Sequence, residues 1–375
     1  MVKKIIAGAI AFVLCITGFA VILKLVNKNK KDTLPTEKIY GVKWENDSTT
    51  TMTRTDNAVD MFYIINAEDG SITSNFDNVF PWNEAEKTEL DAGSFLKLPD
   101  MWFRVGTDKN GDINSVAVSK AKTNEGDWYK VDSFYYALYG ASTSDNTTLK
   151  SVSGVDRACS LTRGNFRDMA TATGSGYQQL DLYHKTVMNF LWWIEFATKD
   201  SSTIMTGKTS VTGSTACLTG GTDNVSTPSG YNVETKQMRY HYIEDFVGNY
   251  FEFIDGVSGS TDNKVWVSSD ASKYSDEVGA DGYSQLSYEV TTQGFISSFG
   301  WDKDNPFCCY YHKTEGSDNN GFCDYGCFID SSYPVLYGGA RWHTVNYGYG
   351  LSCILNFATN GLDPTVSARL IYVAE

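Results

Sequence analysis

Four carboxylates fall close together in one stretch: Glu244, Asp245, Glu252 and Asp255 lie within residues 237–256. Paired carboxylates are the raw material of general acid–base catalysis. Their usual companions are missing, because no nucleophile with a base, phosphate-cradling glycine loop or dinucleotide fingerprint occurs. Asp245 suits the cap of a turn. A second kind of chemistry is offered by Cys309-x2-His312 and Cys323-x3-Cys327, whose spacings are tolerable for tetrahedral zinc. Disulfides and plain buried thiols remain open alternatives. Seven cysteines (159, 217, 308, 309, 323, 327 and 353) follow the N-terminal apolar run, and an odd number fits complete pairing badly. The histidines at 184, 241, 312 and 343 are scattered. Beside its helical face, His184 reads as a hydrogen-bonded core or boundary residue. Asp108, Asn110 and Asp112 resemble the start of a calcium loop, but Ile113 occupies the glycine position and no Glu closes it. A hairpin turn is expected there. No metal, cofactor or catalytic residue is assigned.

The other chemistry on offer is contact. Residues 338–373 open on Gly338-Gly339-Ala340-Arg341-Trp342 and run through Tyr, Asn, Thr, His and Gly to the strand candidate Leu370–Val373. Rings such as Trp342, Tyr347 and Tyr349, with adaptable groups such as Asn346 and His343, give contact area at low entropy cost. Composition alone equally describes an ordinary loop.

Motif order separates the two. Gly248-Asn249-Tyr250-Phe251-Glu252-Phe253, then Gly338-Gly339-Ala340-Arg341-Trp342, then Ala368-Arg369 resemble the G-N-x-x-E-[WF] … G-G-x-W … G-[AF]-R pattern of a C-type-lectin-like superfamily. Its members include formylglycine-generating enzymes, phage tail and receptor-binding proteins, and variable proteins diversified by retroelements. Tyr40–Trp44 with Thr53–Thr55, Leu98–Phe103, Thr162–Met169 and Tyr242–Phe246 resemble phage tail proteins, so the likeness covers most of residues 40–373. In two places the chain departs from the pattern: Arg341 stands where many relatives carry a small or aromatic residue, and Ser367 replaces Gly before Ala-Arg.

The resemblance implies a buried, hydrogen-bonded structural role for Glu252. It also implies a ligand-contact segment, carried onto Arg341, Trp342, His343, Val345, Asn346, Tyr347, Tyr349, Ser352, Asn356, Thr359, Asn360 and Asp363, with Trp342 and Leu355 closer to scaffold. The oxidative branch holds copper with two cysteines after Gly-Gly-Ser. Only Cys353 lies in the matching segment here, so an oxidase is disfavoured. Calcium-dependent sugar strings (E-P-N, W-N-D) are absent too.

These residues need elements to hold them. At 375 residues, with 20 Phe, 23 Tyr and 9 Trp, the chain can bury a large aromatic core. Its net charge is −14. Six Lys and no acid lie in residues 1–31, leaving 25 basic against 45 acidic residues beyond, which would repel a nucleic acid backbone. The apolar run Ile5–Leu23 is long enough for a bilayer.

Expected, therefore, are a transmembrane anchor over 1–31, a small β-rich region over 32–92, and a C-type-lectin-like α+β domain over 93–375. That domain should have two main helices (163–173 and 178–198), a small antiparallel sheet and paired terminal strands. The implied protein is a non-enzymatic binder of a protein or glycan on another cell or virus. It would be membrane-anchored and face outwards, with a virion tail component as the alternative, and homo-oligomerisation and retroelement diversification are left open.

Overall fold

Residues 37–46, 49–209, 215–260, 262–290, 293–317, 319–328, 335–338 and 353–374 are described by a computed structural model. Short runs rich in β-branched and aromatic residues become strands when a partner covers their apolar face. Ile113–Ser119 (INSVAVS) and Met101–Thr107 (MWFRVGT) show this, pairing through the turn expected at Asp108–Gly111. Asp69-Gly70, a dipeptide suited to tight turns, lies between the paired strands Tyr63–Ile65 and Ser71–Ser74.

The secondary structure corrects the α+β expectation. Strand makes up 32% and helix 13% of the residues. Two α-helices occur among the described residues, α1 over Arg163–Thr173 and α2 over Leu182–Phe196. In place of one small sheet, the described residues form three five-stranded sheets, one eight-stranded sheet and a two-stranded pair. The reason is visible in residues 257–335, which read as a long insertion draped over the core. Pieces such as Val265–Val267, Ser298–Phe299, Tyr311–Lys313 and Tyr325–Phe328 find strand partners there. A window of three apolar or aromatic residues is too short to announce itself, yet long enough to pair.

The membrane anchor and the outward-facing, cell-surface location are also corrected: no helix among the described residues is long and apolar enough to cross a membrane. Residues 1–36, on which the anchor reading fell, lie outside the described residues. Residues 38–375 form one compact unit. The boundary expected at 92 falls in the hairpin joining Glu86–Leu90 to Gly93–Leu98.

Helix α2 is the hub of the core, since every residue in it except Tyr183 is buried. Trp192 packs on Tyr240 and Phe246, with centroids 5.0 and 5.6 Å away, and Trp193 on Phe299 and Phe322 at 5.4 and 5.3 Å. The helix starts later than its apolar periodicity suggests. Tyr177–Gln179 instead forms a strand against Leu370–Tyr372, and Asp181 caps the helix by accepting from the His184 amide. Leu370–Tyr372 also pairs with Phe134–Ala137, so the expected pairing of the C-terminal strand is present.

The sheets and α1 meet on one buried strand, Phe251–Gly259. Arg163 donates to the carbonyls of Ile254 and Val257, and Arg167 forks onto Asp255 at 2.7 and 2.9 Å. At its start Glu252 takes Arg157 at 2.6 Å and the Nε of Arg369 at 3.0 and 3.2 Å. Arg369 also donates to the carbonyls of Ala137, Leu138, Glu244 and Asp245. Burial alone would raise the Glu252 carboxyl, but the Arg369 and Arg157 guanidiniums outweigh it and hold it at about 2.

Removing the charge of Glu252 leaves two arginines buried without their counter-ion. Glu252→Gln is expected to lower unfolding free energy in urea by about 3–5 kcal/mol at neutral pH. The folded value lies below the ordinary 4.5, so this stability is present above pH 4.5 and lost as pH falls toward 2. A variant within about 1 kcal/mol of the native chain, with an unchanged acid limb, would show that the ion cluster is dispensable.

Candidate functional site

Glu252 is a register partner twice over. On one side of the strand it pairs with Gly338, and on the other with Ser367. The chain therefore leaves this one residue at Gly338 and returns to it at Ser367. Gly338 also pairs with Cys353, so the outgoing strand Val335–Gly338 is matched at once by Cys353–Phe357. Everything expected to make contact lies on this excursion.

Arg341, Trp342, His343, Val345, Asn346, Tyr347, Tyr349 and Ser352 lie outside the described residues. Asn356 belongs to the strand Cys353–Phe357. Thr359 and Asn360 are exposed in the turn that follows it, beside Leu362, which is 63% exposed. Asp363 is half-buried and holds its own turn, its carboxylate accepting from the Thr365 amide and hydroxyl at 2.7 and 2.6 Å. Its carbonyl accepts from Ser160 and Val366. Thr359 and Asn360 are thus open to a ligand, whereas Asp363 shapes the return to the base.

The motif residues around this base are structural. Asn249 accepts from the Cys217 amide and donates to the Cys217 carbonyl and to Asp245, tying residues 215–218 to the sheet. Gly248 has φ +85°, and a Cβ there would sit 2.7 Å from the Lys208 backbone nitrogen, so only glycine fits. Glu244 receives the Gly220 and Thr222 amides and the Thr222 hydroxyl, each at 2.8 Å. Each of the four clustered carboxylates thus has its own partners: amides for Glu244, Gln237 and Asn249 for Asp245, and arginines for Glu252 and Asp255.

The metal readings are resolved in part. His312 turns its Nδ1 to Asp112, 2.5 Å away, and Lys313 reaches the other oxygen at 2.9 Å. That arrangement engages the would-be calcium ligand Asp112 in ion pairs with His312 and Lys313. Cys159, Cys217 and Cys308 are free thiols. The Cys323 thiol donates to the Asn320 carbonyl at 3.7 Å. The thiols of Cys327 and Cys353 lie outside the described residues.

A different cluster was not legible in the sequence. Asp77, Glu195 and His241 bring potential metal-ligand atoms within 4.8 Å of one another. Glu195 hydrogen-bonds the Nε2 of His241 at 2.7 Å, while an Asp77 oxygen lies 3.2 Å from Nδ1. Trp82 stacks on the imidazole at 3.6 Å, and the Tyr240 hydroxyl donates to Glu195 at 3.2 Å. Arg54 donates to the Glu195 carbonyl. Asp77 comes from a single 3-10 turn, Asn75–Asn78, and no local pattern marks it as a partner of α2. Compared with known proteins, the chain matches no family model and no curated protein.

Burial, reinforced by the charge of Glu195 and opposed by His241, raises the Asp77 carboxyl to about 6. A folded value above the ordinary 3.8 means that its contribution is fully present below pH 3.8 and is lost as pH rises through 6. Asp77→Asn is therefore expected to flatten the pH dependence of stability between those values, read from urea midpoints. An identical slope in both proteins would show that Asp77 does not titrate there.

Proposed function

We propose that this chain is a non-enzymatic ligand-binding protein that presents residues 339–363 to a protein or glycan partner. One observation carries the reading: both ends of that excursion pair with Glu252, whose side chain is fixed by two arginines. A segment closed at its base can vary in sequence while the scaffold stays folded, which is how binding loops are mounted on rigid domains. Its content supports the same conclusion. Arg341, Trp342, His343, Asn346, Tyr347 and Tyr349 are residue types that dominate contact energies and adapt their hydrogen bonds. The order of the surrounding motifs, which resembles that of retroelement-diversified and phage receptor-binding proteins, points the same way.

The test separates scaffold from contact surface. In a display library, Arg341, His343, Asn346, Tyr347 and Tyr349 are randomised together and selected against lysozyme as an arbitrary protein target. Most unselected members are expected to keep the parental melting temperature within a few degrees. Selection should yield binders with dissociation constants of about 1 μM or tighter, the range of a modest protein interface. General unfolding of the library would mean that these rings are core and would overturn the proposal, as would a folded library that yields no binders.

A further inference from the structure

A second place on the molecule is built like a small-molecule site, and it stands independently of the reading of residues 339–363. Beside the start of α2 lies a solvent-open cavity of about 330 Å³, lined by Asp132, Phe134, Gln178, Tyr183, His184, Ser269 and Val373. That volume is at the lower end of the range for small-molecule sites. His184 is only 9% exposed, and its ring is fixed on every side but one. Both oxygens of Asp181 meet Nδ1, at 2.8 and 2.9 Å. Phe134 and Tyr183 pack edge-on, with centroids at 4.6 and 5.0 Å.

Asp181 is itself anchored and almost fully buried. It accepts from the His184 amide, from the Tyr274 hydroxyl at 2.8 Å and from Gln178 at 3.3 Å. A carboxylate held on Nδ1 keeps the proton there and leaves the lone pair of Nε2 free as an acceptor. That nitrogen has no hydrogen-bond partner among the described residues, although its ring lines the cavity. At the rim, Lys130 is shared between Asp132 at 2.5 Å and Asp100 at 3.1 Å, so the mouth keeps an excess negative charge that disfavours an anion. The walls combine the apolar Phe134, Tyr183 and Val373 with the polar Gln178 and Ser269.

We propose that this cavity binds a small, uncharged, flat molecule bearing one hydroxyl, which donates to His184 Nε2 while its apolar body lies against Tyr183 and Val373. Phenol is the simplest probe of that chemistry. Anisole has the same ring without the donor, and benzoate replaces the donor with a negative charge.

The test titrates the full chain with each of the three and follows the His184 ring signals by NMR. Phenol is expected to shift them saturably, with anisole roughly tenfold weaker because the buried acceptor stays unpaired, and benzoate weaker still. Ser269→Trp, an exposed change at the cavity wall, should abolish phenol binding and leave the melting temperature unchanged. His184→Phe should reduce phenol to the level of anisole. That variant leaves Asp181 short of a partner, so its melting temperature is read alongside, and Ser269→Trp decides the matter if it unfolds. Equal affinity for phenol and anisole, preference for benzoate, no saturation by phenol, or binding that survives Ser269→Trp would each overturn the proposal.

Discussion

The fold depends on one buried carboxylate shared by two arginines. Glu252, Arg157 and Arg369 are drawn from three distant parts of the chain, and all three are nearly inaccessible. Two buried guanidiniums around one carboxylate leave a net positive charge. The carbonyls of Ala137, Leu138, Glu244 and Asp245 offset it around Arg369, and that of Ala368 accepts from Arg157, whose Nε and Nη1 find no acceptor among the described residues. Those carbonyls come from several turns and strand ends. Placing Arg369 correctly therefore places the ends of several elements simultaneously, and an alternative packing would strand either a charge or a row of carbonyls. Such a cluster favours a single arrangement more than it adds net stability.

The parts legible in the sequence were those with local signatures. The Thr162 capping box with Asn165 announced α1 to the residue. The Asp69-Gly70 and Asp108–Gly111 turns announced their hairpins, and the apolar stripe of α2 was plain. The start of α2 was misread because Tyr177, Gln178 and Gln179 fit the helical stripe. Strand pairing with Leu370–Tyr372 outweighed that preference, and no local rule contains that partner. The same cause hid the β-rich character of residues 257–335, where two- and three-residue strands depend on neighbours far away in sequence. Of the candidate site, the motif residues could be found because glycine at positive φ and a structural Asn–Glu pair leave fixed letters. Asp77 and Glu195 could not, because a buried cluster of acids around a histidine needs only proximity in space. Asp363 carries turn chemistry that the sequence reading did not name: an Asp two residues before a Thr accepts from that residue's amide and hydroxyl.

The acidic balance of the chain follows the same division between base and surface. Several buried acids are answered individually: Glu252 by arginines, Asp255 by Arg167, Asp112 by Lys313 and His312, and Glu244 by amides. Exposed acids cost folding little, because water screens them. A partner that approaches the body of the protein meets that field, and an anionic polymer is repelled. Arg341 and His343 are conspicuous against this background, since they put basic groups into the stretch that departs from the ion cluster.

Anchoring both ends of an excursion on one residue also changes what its length and sequence cost. Closing a flexible loop grows more expensive only as the logarithm of its length, about 0.6 kcal/mol per doubling. Once Gly338 and Ser367 are registered on Glu252, most of that closure is already fixed by strand pairing and by Arg369. Sequence change within the excursion then alters local contacts without reopening the base. The converse holds for the base itself. A substitution at Arg369 or Glu252 would leave the excursion's residues untouched, yet would release both of its ends together. On the proposed reading of residues 339–363 as a contact segment, tolerance to change and rigidity of presentation are two consequences of one ion cluster.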